Sequence, residues 1–147
     1  MESCPACGCR GQSVESSTVA ALVAGPVPVR QALWLCRERD CEVVYYGDAG
    51  ARVLVSDLRF LPAFKSESSE ALVCYCFLHA RSEIESELRR DGISTLVDRI
   101  AVKVKAGQCA CEVRNPSGRC CLAEVRAETV RLLRETLLAR AESVREG

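Results

Sequence analysis

The chain has 147 residues, 48% of them hydrophobic and 27% charged, with 20 Lys and Arg balancing 20 Asp and Glu. That length suits one ordinary domain or two small ones, each of which would gain from a metal staple because small domains bury too little apolar surface unaided. Zero net charge weighs against a nucleic-acid partner, no stretch is long and apolar enough to span a bilayer, and Met1-Glu2-Ser3 carries neither a basic nor an apolar leader, so a cytoplasmic location is expected.

The eleven cysteines fall in five short groups: Cys4-Pro5-Ala6-Cys7-Gly8-Cys9, Cys36 to Cys41, Cys74 and Cys76, Cys109 and Cys111, and Cys120-Cys121. In a reducing compartment such groups read as metal ligands and not as a disulfide framework, and the odd count agrees. Cys4-Pro5-Ala6-Cys7-Gly8 has the form of a zinc knuckle, a tight turn that aims two sulfurs at one ion while Gly8 tolerates positive φ. Cys36 and Cys41 supply the remaining pair at a looser spacing, which leaves Asp40 as an alternative oxygen ligand in place of Cys36. Two such pairs separated by strands predict a closed, structural site. No role is assigned to Cys9.

Residues 1 to about 64 read as β structure, with expected strands at Thr18–Val23, Ala32–Leu35, Glu42–Tyr46 and Arg52–Val55. Gly25-Pro26-Val27-Pro28 and Gly47-Asp48-Ala49-Gly50 supply turn chemistry between them. The polar run Lys65-Ser66-Glu67-Ser68-Ser69-Glu70 reads as a linker, which divides the chain into a zinc-binding β unit, 1–66, and a helical unit, 67–147.

Helical spacing follows. Ser82-Glu83-Ile84-Glu85 is a capping-box sequence opening a helix in which Ile84 and Leu88 share a face and Asp91-Gly92 is the stop. A second helix is expected over Thr95–Lys105, with Leu96, Val97, Ile100 and Val104 on one stripe, ending at Ala106-Gly107. A third, long helix runs from Leu122 to Arg145, with Leu122, Val125, Leu132, Leu133 and Leu137 as its core positions. The class is therefore α+β: a small zinc-stapled antiparallel β unit followed by short helices and a long carboxy-terminal helix.

In extended chain, residues i and i+2 point to one side, so Cys74 and Cys76 can serve one iron, and Cys109 and Cys111 share that geometry. Adjacent Cys120 and Cys121 point apart, so one of the two is expected to be a ligand. The turn sequence Asn115-Pro116-Ser117-Gly118 folds the chain back toward Cys109. Six cysteines around helical ends fit an iron-sulfur centre better than a second zinc.

The run Val73-Cys74-Tyr75-Cys76-Phe77, two short helices, Cys109-Ala110-Cys111-Glu112 and Asn115-Pro116-Ser117-Gly118-Arg119-Cys120-Cys121-Leu122 together resemble the bacterioferritin-associated-ferredoxin-like [2Fe-2S] domain. With the opening CPxCG and Cys36-Arg37-Glu38-Arg39-Asp40-Cys41-Glu42-Val43-Val44-Tyr45, the chain resembles more closely the amino-terminal domain of CopZ-type zinc- and [2Fe-2S]-containing copper chaperones. The resemblance implies Cys74, Cys76 and Cys109 as cluster ligands with Cys120 as the fourth, Cys111 and Cys121 being the alternatives. It implies zinc on Cys4, Cys7 and Cys41 with Cys36 or Asp40. It also implies a redox or metal-handling accessory protein, served by a metal carrier or redox protein and connected with copper ions.

Two departures from the family stand out. The two-domain chaperones continue into a domain with a Met-x-Cys-x-x-Cys copper loop, which residues 1–147 do not contain, so copper delivery through that loop is not expected of this chain. Phe77 is followed by Leu78-His79-Ala80 where the family more often has Gly and Thr, and a single histidine does not supply the pair of a Rieske centre. No nucleophile, base and orienter constellation marks an enzyme. The alternative of a zinc-dependent regulatory or interaction module, DNA-binding through a helix-turn-helix around Asp91–Ser94, meets a weak surface: Arg99, Lys103 and Lys105 stand against Asp98.

Overall fold

The computed structural model describes residues 3–27, 32–48 and 50–146. Its first half is a four-stranded antiparallel sheet in the order β1 (Gln12–Val14), β2 (Leu33–Leu35), β3 (Val43–Gly47) and β4 (Arg52–Leu54). Leu35 faces Tyr45 and Trp34 faces Tyr46 across the β2–β3 pair. Val43, Val44, Tyr45 and Tyr46 are all buried, as an uninterrupted apolar run in a central strand should be. An irregularity in register between Val43 and Tyr45 breaks simple alternation. Val44 and Tyr45 consequently join one apolar cluster, whereas Val43 and Tyr46 join another around Cys4, Cys36 and Cys41.

The expected strand at Thr18–Val23 is instead a helix, α1 (Ser16–Leu22). Thr18, Val19 and Leu22 are its buried residues, and their i, i+1, i+4 spacing is that of one helical face. The β-branched pair gave this stretch a strand-like look, but the neighbouring Ala20-Ala21 suits a helix and the apolar cluster with Leu33, Leu35 and Val53 decides the matter. Two single 3₁₀ turns, Val55–Asp57 and Ala63–Lys65, lead out of the sheet. Of the expected turn residues, Pro28 and Ala49 lie outside the described residues.

Beyond residue 70, β5 (Leu72–Cys74) and β6 (His79–Ala80) form a short antiparallel pair that feeds α2 (Arg81–Asp91). The cap of α2 sits two residues earlier than the Ser82/Glu85 expectation: the Glu83 carboxylate accepts the Ala80 N–H at 2.8 Å. A helix beginning at Arg81 puts Glu83 at its third position, where a carboxylate reaches back to the capping residue. Then come α3 (Leu96–Lys105), α4 (Cys111–Arg114) and α5 (Leu122–Glu146). Ile84 and Leu88 of α2, Leu96 and Ile100 of α3, and Val125 and Leu132 of α5 form one core with Val73 and Cys74. Leu137, expected in that stripe, is 54% exposed: α5 still meets α2 beyond it, through Arg140 and the Leu88 carbonyl, but Leu137 is out of phase with Val125 and Leu132. No helix of the described residues is long and apolar enough to cross a membrane.

The two halves are packed together. Thr18 Oγ1 donates to the Glu112 carbonyl at 2.5 Å, and the buried Tyr45 hydroxyl donates to the Pro116 carbonyl at 2.6 Å. The 65–70 stretch is also fastened. Buried Arg81 donates to the carbonyls of Ala63, Ser66 and Ser68 and, at 2.6 Å, to the Glu128 carboxylate of α5. Burial alone would push the Glu128 carboxyl up, but hydrogen bonds from Arg131 and Arg81 outweigh it and hold the group below its ordinary value.

Arg81→Met should therefore lower stability by about 2–4 kcal/mol in urea denaturation, because it leaves three carbonyls without their donor and takes from the Glu128 carboxylate one of its two cations, Arg131 remaining as the other. Since the Glu128 pKa is depressed on folding, the stabilisation is present above the ordinary glutamate pKa, about 4.3, and is lost as pH falls through the lower folded value. The difference between wild type and variant should accordingly shrink in that acidic range. An unchanged midpoint at neutral pH would refute the assignment.

Candidate functional site

The first knuckle is a turn closed on itself: the Gly8 N–H donates to the Cys4 carbonyl and the Cys4 N–H to the Cys9 carbonyl, both at 2.8 Å. Gly8 has φ +78°, so the residue expected to tolerate the left-handed conformation adopts it. The second pair lies on the β2–β3 connection, where the Cys36 N–H donates to Val44 and the Cys41 N–H to Glu38. Cys4, Cys7, Cys36 and Cys41 thereby come together, with their four Sγ atoms all within 4.8 Å of one another.

The closest pairs are Cys4–Cys41 at 3.8 Å and Cys7–Cys36 at 3.7 Å. A tetrahedron with Zn–S bonds of about 2.3 Å has edges of about 3.8 Å, so the donor set fits one zinc ion. Cys36 is in this group, and Asp40 is exposed and outside it. Cys9 is also outside; its thiol lies 3.7 Å from a Glu38 carboxylate oxygen. Trp34 and Tyr46 stack at 5.9 Å beside the site, and Tyr46 shares an apolar cluster with Cys4, Cys36 and Cys41.

Burial divides the four thiols chemically. The exposed Cys7 is lowered to about 7, chiefly by the Cys9 backbone N–H at its sulfur, whereas burial pushes Cys36 up to about 12 and Cys41 upward as well. Buried neutral thiols this close together cost little, and a divalent ion that displaces their protons turns them into thiolates.

The second gathering of cysteines is of a different kind. Cys76 Sγ lies 3.4 Å from Cys111 Sγ, and the Ala110 N–H donates to Cys76 Sγ at 3.2 Å. The neighbouring Cys121 lowers the Cys74 thiol to about 6, and Cys74 in turn drives the Cys121 thiol upward. Burial, then the Cys76 contact, pushes Cys111 up to about 12, while the Cys121 backbone N–H at its sulfur acts the other way. Cys74, Cys111 and Cys121 are buried, Cys76 and Cys109 half-buried and Cys120 exposed.

The structure thus places Cys74 and Cys76 with Cys111 and Cys121. Cys109 packs against the same apolar core, and Cys120 faces outward. Among the described residues the amino-terminal four are the one group in which three or more ligand atoms lie within 4.8 Å of each other. His79, of β6, is paired at 2.9 Å with Glu83.

These two geometries can be set against known proteins. Residues 1–59 match the zf_CopZ family, a zinc binding domain. The fold is similar to that of the amino-terminal domain of Archaeoglobus fulgidus CopZ, solved by X-ray diffraction, with a TM-score of 0.63 and 25% identity over 81% of this chain and 91% of that one. No curated protein matches the sequence. The matched segment holds Cys4, Cys7, Cys36 and Cys41, so the match and the four-sulfur geometry independently support zinc binding.

Lys65 escaped the sequence reading entirely, being counted as the first residue of a polar linker. It is buried, and its ammonium meets the zinc-site loop at three points. Its local signal was the flanking Ala63-Phe64, apolar residues that draw the start of the supposed linker inward.

Proposed function

We propose that the chain is an iron-sulfur and zinc protein of metal homeostasis, copper being the leading metal, in which a structural zinc scaffold carries a one-electron [2Fe-2S] centre. The observation that supports the cluster is the second cysteine set: the Cys76 and Cys111 sulfurs lie 3.4 Å apart, and Cys74 and Cys121 are buried in the same core, with the four sulfurs not gathered around one point as at the zinc site. A two-iron cluster takes two thiolates per iron, and this donor set fits that need. The resemblance to CopZ-type chaperones supports the same reading.

On this reading residues 1–66 form the zinc unit and 67–147 the cluster unit. Cys74, Cys76, Cys111 and Cys121 would hold the cluster, with Cys109 and Cys120 outside the ligand set. The bound group would supply reversible one-electron transfer, and the chain's own part is to hold and shield it. The Ala110 N–H at Cys76 and the Cys121 N–H at Cys111 place backbone donors on two of the sulfurs, and such bonds set reduction potential. Phe77, stacked under Lys103 at 4.6 Å, covers the same region beside Cys76. The partner would be a redox protein or metal carrier.

Protein purified without air should contain one zinc, two irons and two acid-labile sulfides per chain, and should show reversible reduction with an axial-type paramagnetic signal. Zinc alone, with no labile sulfide in anaerobic preparations, would defeat the cluster and leave a zinc-binding module.

A further inference from the structure

A buried lysine needs an explanation, because burial of an ammonium is costly unless its charge is met. Lys65 is 7% exposed, and among the described residues no carboxylate pairs with it. Its Nζ donates instead to the Glu38 carbonyl at 2.6 Å, to the Cys41 carbonyl at 3.1 Å and to Cys36 Sγ at 3.6 Å. All three ammonium protons are thus directed at one loop, the one that carries half of the four-cysteine group.

The charge of the loaded site supplies the missing partner. Four thiolates and one Zn²⁺ leave a net charge of −2, and three of the sulfurs, Cys4, Cys36 and Cys41, are buried. Water compensates such a charge poorly where it is excluded, and a fixed cation against a ligating sulfur does so without reorganising. Lys65 is drawn from the 3₁₀ turn Ala63–Lys65, outside the sheet that bears the knuckles. The same turn is tied by its Ala63 carbonyl to Arg81.

We propose that Lys65 is the charge-compensating outer residue of the zinc site, holding its ammonium against Cys36 so that a buried four-thiolate ion can form. This role rests on the reading of Cys4, Cys7, Cys36 and Cys41 as a zinc site. The two carbonyl bonds of Lys65 position the charge and fix the path of the chain between Glu38 and Cys41.

The test is the affinity for zinc of full-length wild type and of Lys65→Met, Lys65→Gln and Lys65→Arg, measured by competition with a chromophoric chelator. Cobalt(II) spectra of each variant report whether a tetrahedral four-sulfur site persists. Met removes charge and donors, Gln keeps a donor without the charge, and Arg keeps the charge. Met and Gln should each weaken zinc binding about 10–100-fold with the four-sulfur cobalt spectrum retained, and Arg should recover most of the loss. Lys65→Gln binding zinc as tightly as wild type would overturn the proposal, since a neutral donor would then suffice; so would unchanged affinity in all variants. A wild-type protein that takes up no zinc would instead remove the zinc site itself, and is told apart by the first measurement.

Discussion

Cys41→Ser is expected to abolish zinc binding and to unfold the amino-terminal β unit. Structural zinc in small domains contributes apparent free energies of about 10–16 kcal/mol, far more than a unit of three- to five-residue strands can replace. Cys41 is buried 3.8 Å from Cys4, so a serine hydroxyl there neither ligates zinc well nor fills the sulfur's volume. The apolar cluster that includes Val43 and Tyr46 is assembled around the same sulfurs and should be lost with them. Metal analysis would show the zinc gone, and Trp34, stacked on Tyr46, would report the collapse through its fluorescence and near-ultraviolet dichroism. Cys9→Ser, a change just outside the group, should keep both zinc and signal. Stoichiometric zinc in a folded Cys41→Ser protein would mean that these four sulfurs are not the ligand set.

The zinc site was legible in the sequence because its geometry is local. A CPxCG turn dictates where two sulfurs point, and the second pair needs only a hairpin to bring it back. The alternatives Cys36 and Asp40 turn on which side of a six-residue loop faces inward, and strand pairing through the Cys36 N–H and Val44 brings the Cys36 sulfur in among the other three while Asp40 stays exposed. Helices were legible where apolar residues recur at helical spacing, as in Leu96 and Ile100. Thr18–Val23 was misread because a short run of buried residues satisfies both periods, and only its packing partners distinguish them. Leu137 was misassigned because a wide apolar stripe admits neighbours of the core face: five residues after Leu132 it is turned well away from that face, while Arg140 still reaches the Leu88 carbonyl of α2. Lys65 was invisible because its partners lie 24 to 29 residues away and are carbonyls and a thiol, which carry no charge pattern.

The largest expected effect in the second half separates two adjacent residues. Cys121→Ser should abolish the proposed cluster, whereas Cys120→Ser should leave it intact, with Cys111→Ser behaving like the former and Cys109→Ser like the latter. The argument is one of helix phase. Cys121 immediately precedes α5, and its carbonyl accepts the Val125 N–H at 2.9 Å, so Cys121, Val125 and Leu132 lie on the stripe that faces the core. Cys120, one residue earlier, is turned to solvent. Upstream, α4 begins at Cys111, and that turn of helix cancels the strand-like equivalence of Cys109 and Cys111 on which spacing alone relies. The chain between them is held by Asn115, whose carboxamide oxygen accepts the Ser117 N–H and hydroxyl, and by Gly118 at φ +72°, where a Cβ would also press on the Thr18 hydroxyl at 3.1 Å. Iron and acid-labile sulfide per chain, measured on anaerobic protein with zinc as the internal reference, read the outcome directly. Iron and sulfide surviving in Cys121→Ser but lost from Cys120→Ser would return the fourth ligand to Cys120 and mean that this end of α5 rearranges when the cluster is built.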